Sequence, residues 1–588
     1  MSRWTQALLS AALLCACTPT GTSTDEPSAR ERNTEGARAF DDAGVTEVDW
    51  TPIWEDEPPA PKSAGIGSLE VTGSTDLSRQ LDLASLDVQA DVVGNMVAFE
   101  VEHRFDNPSE EVLEGTFRFP LPAGAVVTGL AMEIDGELME GEVLDRDRAR
   151  EIYQSIVDSM QDPALLEWEQ GRTFKLRVFP IEAGSEKRVV IRYLAPLHRV
   201  LTRGGERWEI VVPTAAPAMQ GEIGHLSVRV DGQTVADEDH ARPVGAIRVA
   251  LATPPADVVQ QQDEHGTFTA VRIRPDWTEV PAPAPSDGTR RLLVVVDTSR
   301  SAMEAWGLTR ESLRIVLESL TPDDEVCVVA ADITARAHAP TFLPATDDEI
   351  AAALAFIDDI EPDGASDLSA ALTHVSSILA DAEDSSAATQ VLVLGDGVPT
   401  WGETDGETLL AAARGALGET PLHGLVLGRG ADGALLRRIA GTTGGRVERP
   451  ESSEEIEWFA GFLGHAPTLR RLRDVELQAE GVDAIAGFDG GTIFEGQAPL
   501  AYMRTAQDAP VEVQLAAKLT DAAVVQSLPL PEAKRGGGVR KIWAAETIEA
   551  LEADKSRRAE VIAMSETHGV LSRHTAFLVL ESEEAYRE

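Results

Sequence analysis

Residues 292–301 read L-L-V-V-V-D-T-S-R-S, an unbroken aliphatic run followed at once by an aspartate and two serines. Such a run is typical of a strand that is buried on both faces, as in a parallel sheet covered by helices. Further apolar runs at 326–330, 391–394 and 422–427 alternate with amphipathic segments at 308–320, 346–360, 368–380, 409–417 and 435–440. This alternation predicts a doubly wound, Rossmann-like α/β domain over residues 289–464.

Oxygen-bearing side chains follow three segments of this predicted domain. Asp297, Ser299 and Ser301 follow its first strand, the segment D-G-A-S-D-L supplies Ser366, and Asp396 follows the strand in V-L-V-L-G-D-G-V-P-T. In the common strand order 3-2-1-4-5-6 the first and fourth strands are neighbours, so the two aspartates are expected to face one another. Carboxylate and hydroxyl oxygens suit Mg²⁺, or Mn²⁺ or Ca²⁺, and the sequence predicts such a site here.

These three groups, in this order, resemble the metal-ion-dependent adhesion site of von Willebrand factor type A domains. The resemblance implies that Ser299 and Ser301 bind the cation directly and that Ser366 binds it directly or through water. Asp297 and Asp396 would hold it mainly through water. The cation would then accept a carboxylate from a protein ligand at an open position, so the implied function is cation-dependent protein binding or adhesion.

Two positions depart from the pattern of that family. Ser366 stands where Thr is usual, which keeps the hydroxyl but loses the methyl group that restricts its rotation. Arg300 stands where Gly is usual, and either points outward to an acidic partner or weakens metal binding. A structural envelope protein with a vestigial metal site is therefore the alternative function. Trp306 and Trp401 are possible partner contacts on the same rim, although core packing is the commoner fate of tryptophan, and Asp367 is expected to cap a helix.

Alternating apolar and polar residues on both sides of the α/β domain predict antiparallel β structure. The segments F-R-F-P-L-P at 117–122, M-E-I-D-G at 132–136 and F-K-L-R-V-F-P-I at 174–181, with a helix near 145–160, resemble the vault protein inter-alpha-trypsin domain. That domain followed by a type A domain resembles inter-alpha-trypsin inhibitor heavy chains and their bacterial relatives. We expect a first β-sandwich at 65–200 and a second, discontinuous one at 201–288 and 465–588. The latter part would include a long helix at about 541–566 and a closing strand.

The amino terminus has the features of an export signal. Arg3 precedes an apolar run at 7–14 that is too short to span a bilayer, and the following L-C-A-C resembles a lipobox. Residues 1–17 are thus predicted to be a lipoprotein signal in which Cys17 is acylated, and 18–64 a disordered tether. The prediction is a bacterial protein held by its lipid alone at the outer membrane or cell surface.

The composition excludes several other functions. The 588 residues carry 99 acidic and 51 basic side chains, a formal charge of −48 that disfavours nucleic acid as a partner. No nucleophile elbow, H-E-x-x-H helix or P-loop occurs, so the chain is not expected to be an enzyme.

Of its three cysteines two lie in the signal, which leaves Cys327 without an intrachain disulfide partner. The oligomeric state is not predicted.

Overall fold

The structure is a computed structural model, and it describes most of the chain beyond residue 51. The described residues are 52–55, 68–72 and 79–580, apart from 123, 159–162, 171–172, 203–204, 215–221, 243–245, 284–287, 383–386, 429–430, 432, 451–452, 489, 506–509, 520–521 and 553–554. The predicted signal, with the predicted acylation site Cys17, lies outside them, as does the predicted tether except for residues 52–55.

Strands dominate the described chain before residue 290. They are β1 (Pro52–Glu55), β2 (Ser68–Thr72), β3 (Arg79–Gln80), β4 (Leu83–Val93), β5 (Met96–Asn107), β6 (Leu113–Pro120), β7 (Val126–Ile134), β8 (Glu137–Glu140), β9 (Glu142–Asp145), then helix α1 (Arg146–Asp158), β10 (Ala164–Gln170), β11 (Thr173–Ile181), β12 (Ser185–Pro196), β13 (His198–Thr202), β14 (Gly205–Pro213), β15 (Ile223–Val230), β16 (Gln233–Ala241), β17 (Ala246–Ala250), β18 (Val258–Asp263) and β19 (Gly266–Arg272).

Strands and helices alternate in the next part of the chain. They are β20 (Arg290–Asp297), α2 (Trp306–Glu318), β21 (Glu325–Ala331), β22 (Ala335–Ala337), β23 (Leu343–Pro344), α3 (Asp347–Asp358), α4 (Leu368–Asp381), β24 (Ala388–Gly395), α5 (Gly406–Leu417), β25 (Leu422–Val426), α6 (Ala434–Thr443), β26 (Val447–Glu448) and α7 (Ser453–His465).

The described chain ends with a third group of elements. They are β27 (Arg471–Gln478), β28 (Val482–Ala486), β29 (Gly491–Phe494), β30 (Leu500–Thr505), β31 (Glu512–Leu519), β32 (Ala522–Pro529), β33 (Lys534–Arg535), α8 (Val539–Glu552), α9 (Arg558–His568) and β34 (Thr575–Val579).

The α/β domain has the predicted strand order. Its sheet runs β22-β21-β20-β24-β25-β26, with β22 and β23 antiparallel to β21 and the other pairs parallel. Alternate residues of β20 enter two cores: Leu292 and Val294 pack on the side of α2, α3 and α7, whereas Leu293 and Val295 pack on the side of α4, α5 and α6. Burial on both faces explains why these strands are continuously apolar. Helix α7 was not predicted.

The first sandwich takes in more of the chain than we predicted. Its two sheets run β3-β2-β6-β11-β10-β34-β9 and β16-β15-β4-β5-β12-β7-β8, around a core that includes Phe105, Phe117 and Tyr193. Strands β15 and β16 lie beyond the expected boundary at residue 200, yet β15 pairs in parallel with β4. The closing strand β34 also lies in this sandwich, between β9 and β10. Adjacency in the sequence does not identify the strands of this sandwich, because sheet pairing joins segments that are distant in the chain.

The second sandwich is discontinuous, as predicted. One sheet, β28-β30-β19-β18-β33, combines strands from before and after the α/β domain, and the other runs β29-β27-β31-β32. Both contribute to a core that includes Val271, Leu472 and Met503. The predicted long helix is instead two helices, α8 and α9, and Trp543 of the first and Val561 of the second pack in one core.

Two smaller features complete the fold. Strand β1 lies inside the predicted tether but pairs with β13, in a sheet of order β1-β13-β14-β17. The predicted tether therefore does not run unbroken to residue 64. Among the described helices, none combines the length and the apolar character needed to span a membrane.

Substitution of Gly441 tests how closely α6 packs against the second sandwich. A Cβ atom at this helical position would lie 2.9 Å from Cα of Gly491 in β29. We expect Gly441→Ala to destabilise the protein by about 1–3 kcal/mol, because the two backbones would have to separate. Gly415→Ala in α5 is the matched control, since a Cβ there meets nothing within 4 Å. It should stabilise by about 0.5–1 kcal/mol. Calorimetric melting of both variants checks this, and equal melting temperatures would contradict the tight contact.

Candidate functional site

Parallel pairing of two strands brings the predicted aspartates together. Val296 of β20 lies opposite Leu394 of β24, so Asp297 at the end of β20 and Asp396 just beyond β24 meet at the same edge of the sheet. Both side chains are nearly buried, at 8% and 7% exposure. The predicted approach of these two residues is therefore found in the structure.

Hydrogen bonds connect Asp297 with two of the three predicted serines, Ser299 and Ser366. The backbone N–H of Ser299 donates to its Oδ1 at 2.8 Å, and the Ser366 hydroxyl donates to its Oδ2 at 3.4 Å. The hydroxyls of Ser299 and Ser301 lie 3.0 Å apart. Ser299 is buried whereas Ser301 is exposed, so the row of hydroxyls runs from the interior to the surface.

The surroundings of Asp297 disfavour its negative charge. Burial raises the pKa of its carboxyl above the ordinary value, and the nearby charge of Asp396 adds to the shift, while hydrogen bonds from Ser299 and Ser366 oppose it. Asp396 accepts the N–H of Val398 at 2.9 Å. The edge of the sheet thus holds two neighbouring carboxyl groups in a desolvated place, which a cation would neutralise.

The side chains at this edge of the sheet can coordinate a hard cation only if serine hydroxyls are among its ligands. Among the described residues, no three His, Cys, Asp or Glu side chains are grouped so that they could hold a metal. Asp297 and Asp396 supply two carboxylates, and Ser299, Ser301 and Ser366 supply three hydroxyls. All are oxygen donors of the kind that Mg²⁺, Mn²⁺ and Ca²⁺ accept.

Gly395 permits the close approach of Asp297 to the end of β24. A Cβ atom at this position would lie 2.5 Å from Cβ of Asp297 and 3.1 Å from its Oδ2. Any side chain here would push Asp297 aside, so the glycine before Asp396 is part of the site. The sequence analysis did not assign it this role, since the clash depends on the pairing of β20 with β24.

Backbone hydrogen bonds fix the Ser366 loop. The N–H of Ser366 donates to Thr400 Oγ1 at 2.9 Å, and its carbonyl accepts the N–H groups of Thr400 and Trp401 at 2.9 and 3.0 Å. Asp367 caps α4, as predicted, by accepting the N–H of Ala370 at 3.0 Å. Thr400 was missed as a supporting residue because its partner lies far away in the sequence.

Other backbone contacts join the loops that follow β20 and β21. Thr298 donates its N–H to Ala331 at 2.8 Å, and Arg300 donates its N–H to Gly364 at 3.0 Å. The carbonyl of Asp332 accepts the N–H of Asp367 at 3.0 Å. The loops of the site therefore support one another through main-chain atoms, which limits their dependence on side-chain identity.

The residues predicted to contact a partner divide into two groups. Trp306 is half-buried and packs against the core of the α/β domain, so it contributes mainly to packing. Arg300 is exposed, and Trp401 is 61% exposed. Beside Asp297 and Ser366 the structure has a cavity of only about 30 Å³. Such a cavity accepts a water molecule or an ion but is far too small for an organic ligand.

Thr400 provides a test of how the Ser366 loop is held. Thr400→Val removes the acceptor of the Ser366 N–H and should cost about 0.5–1.5 kcal/mol. It should also speed hydrogen exchange at the Ser366 amide. Thr400→Ser keeps the hydroxyl and should preserve slow exchange. Exchange measured by NMR or mass spectrometry checks this, and equal rates in the two variants would show that the hydroxyl does not hold the loop.

Comparison with known proteins gives two domain matches. The sequence profile of the vault protein inter-alpha-trypsin domain matches residues 83–193, and that of the von Willebrand factor type A domain matches residues 290–449. The first match falls within the first sandwich, and the second runs from the start of β20 to just beyond β26.

Among whole proteins, the chain is similar to inter-alpha-trypsin inhibitor heavy chains. It is 22% identical to heavy chain H4 of Bos taurus in an alignment 426 residues long, which covers 65% of this chain and 46% of the relative. It is 23% identical to heavy chain H1 of Mesocricetus auratus over 433 residues, with the same two coverages of 65% and 46%. The chain therefore spans less than half the length of these curated relatives.

A solved von Willebrand factor type A structure from Catenulispora acidiphila also matches. It aligns with a TM-score of 0.31 and 16% sequence identity, covering 53% of this chain and 83% of that chain. The two profile matches, together with the sheet order and the sandwich described above, assign the units of the fold. The chain contains a vault protein inter-alpha-trypsin domain followed by a von Willebrand factor type A domain.

Proposed function

We propose that the chain binds a protein ligand through a divalent cation held by Asp297, Ser299, Ser301, Ser366 and Asp396. The observation that carries this proposal is the pair of nearly buried carboxyl groups beside linked hydroxyls at one sheet edge. In the described part of the chain, no arginine, lysine or histidine forms an ion pair with either aspartate. A bound Mg²⁺, or Mn²⁺ or Ca²⁺, would supply the missing positive charge and an open coordination position for a ligand carboxylate.

Two features of the loops support the proposal despite the unusual residues at 300 and 366. Arg300 is exposed, and its backbone N–H donates to the carbonyl of Gly364, so the loop is held without its side chain. Ser366 lacks the methyl group of threonine, but its backbone is fixed at both its N–H and its carbonyl. Its hydroxyl is thereby kept near Asp297, where the proposed cation needs it.

The site favours recognition over catalysis. The cavity beside Asp297 measures only about 30 Å³, whereas Ser301 and Trp401 are open to solvent. A macromolecule can approach such a surface more readily than a small substrate can be surrounded by it. We therefore propose an adhesive or protein-binding role, with the β-sandwiches as the support of the type A domain.

A metal titration tests the cation site. Mg²⁺ at about a hundred times its dissociation constant should stabilise the wild type by about 2.7 kcal/mol, since only the folded site binds it. Asp297→Asn retains the size and the hydrogen-bond acceptor but removes the charge, so it should fold and lose this response. Asp348→Asn, an exposed acid at the start of α3, is the control and should respond as wild type does.

The measurement is the melting temperature in chelator and in increasing Mg²⁺ or Mn²⁺, with calorimetric titration of the folded protein. A wild type that binds neither cation would contradict the proposed function and favour a vestigial site. An equal response of wild type and Asp297→Asn would show that the cation binds elsewhere in the chain.

We also propose that the chain is exported and anchored by a lipid on Cys17 at the outer membrane or surface of a bacterial cell. This rests on the sequence of residues 1–17. Cys17→Ser should abolish incorporation of labelled palmitate in a bacterial host and release the chain from the membrane fraction. Cys15→Ser is the matched control and should remain labelled. Labelling that survives in Cys17→Ser but not in Cys15→Ser would place the anchor at the other cysteine.

A further inference from the structure

A cavity of about 620 Å³ lies between the α/β domain and the second sandwich. Its wall includes Arg291 and Ala388, at the beginning of β20 and β24, together with Arg471 at the beginning of β27 and Leu519 at the end of β31. It is therefore at the edge of the α/β sheet opposite to the candidate cation site. Its volume is in the range of pockets that hold small organic molecules.

The wall of this cavity is rich in positive charge. Its charged side chains, among the described residues, are Arg291, Arg470, Arg471, Arg473 and Glu419. Three of these arginines are each paired with a glutamate, with N–O distances of 2.5, 2.5 and 2.9 Å in the pairs Arg291–Glu325, Arg470–Glu495 and Arg473–Glu419. The fourth arginine leaves a local positive charge in a chain whose net charge is −48.

Arg471 is the arginine without a partner. No described residue forms an ion pair with its guanidinium or accepts a hydrogen bond from it, and the residue is partly exposed. It lies beside Arg473, because a Cβ atom at Gly444 would be 2.9 Å from Nε of Arg471 and 2.7 Å from Cδ of Arg473. Two guanidinium groups are thus held close together, and the only carboxylate among the described side chains of the wall, Glu419, already pairs with Arg473.

The protein holds the charge of Arg471 in an unfavourable place. Loss of hydration lowers the pKa of its guanidinium to about 10, and the charge of Arg473 adds to this shift, while Glu419 opposes it. The charged form of Arg471 is therefore less stable in the folded chain than in water. An anion in the cavity would remove this penalty, and a carboxylate can accept two hydrogen bonds from one guanidinium.

The rest of the wall indicates what kind of anion fits. Apolar side chains line it from both domains, among them Leu379 of α4, Leu469 and Leu519. An inorganic ion would leave this surface uncovered, whereas a molecule with an apolar body would bury it. A single unpaired arginine suits a ligand with a single negative charge.

We propose that this cavity binds a small organic carboxylate whose charged group pairs with Arg471 and whose apolar body lies against Leu379, Leu469 and Leu519. Since the wall comes from both domains, the bound ligand would join the α/β domain to the second sandwich. This site is separate from the candidate cation site and does not depend on the proposed function.

Octanoate is a suitable probe for the purified full chain. Calorimetric titration should give a dissociation constant below about 1 mM, and octanoate should raise the melting temperature, since only the folded chain forms the cavity. Octanol has the same apolar body without the charge, and acetate has the same charged group without the body. Each should bind at least about tenfold more weakly than octanoate.

Substitution of Arg471 supplies the second arm of the experiment. Arg471→Met keeps an apolar stem but removes the charge, so it should weaken octanoate binding at least about tenfold. Without ligand it should melt no lower than wild type, because an unfavourable charge has been removed. Arg229→Met is the matched control, since Arg229 is an exposed arginine of β15 in the first sandwich, and it should bind octanoate as wild type does.

Several results would overturn the inference. Failure of wild type to bind octanoate would do so, as would equal binding of octanoate by wild type and Arg471→Met. Octanol or acetate binding as tightly as octanoate would show that the charge or the apolar body is not recognised. A lower melting temperature of Arg471→Met without ligand would assign Arg471 a structural role instead. The Mg²⁺ response of the melting temperature tests the other site and should be the same in wild type and Arg471→Met.

Discussion

The parallel pairing of β20 with β24 is the interaction on which the rest of the site depends. It places the ends of two fully buried strands side by side, and each strand is followed or ended by an aspartate. The pairing brings Asp297 so near to residue 395 that only glycine fits there. Every other contact of the site acts on loops that these two strands have already brought to one edge.

Burying two carboxyl groups next to each other is unfavourable in the absence of positive charge. The chain offsets part of this cost with hydrogen bonds from Ser299, Ser366 and Val398. The raised pKa of Asp297 shows that the compensation is incomplete. A fold that retains such a pair has an electrostatic reason to take up a cation, and on the proposed function that cation is what a ligand recognises.

The β-sandwiches hold the type A domain at its opposite end. The domain is inserted between β19 and β27, and β19 pairs with β30, so one sheet fastens the chain on both sides of the insertion. The two sandwiches are also joined to each other. The guanidinium of Arg272 lies 4.3 Å from the ring centre of Trp208 and donates to the carbonyl of Ala498 at 3.1 Å. The candidate site lies at the carboxyl edge of the α/β sheet, where β20 and β24 end.

The sequence by itself determined the α/β domain and, with the strand order that is common in such folds, the residues that could meet at its edge. Aliphatic runs such as 292–296 can be read locally, because a strand buried on both faces must be apolar throughout. Only the tertiary structure decided which distant strands complete each sandwich, since nothing in the local sequences of β15 and β34 specifies the sheet that each joins. It also showed the roles of Gly395 and Thr400, and separated the exposed Trp401 from the packed Trp306, because close approach and exposure depend on neighbours far away in the sequence.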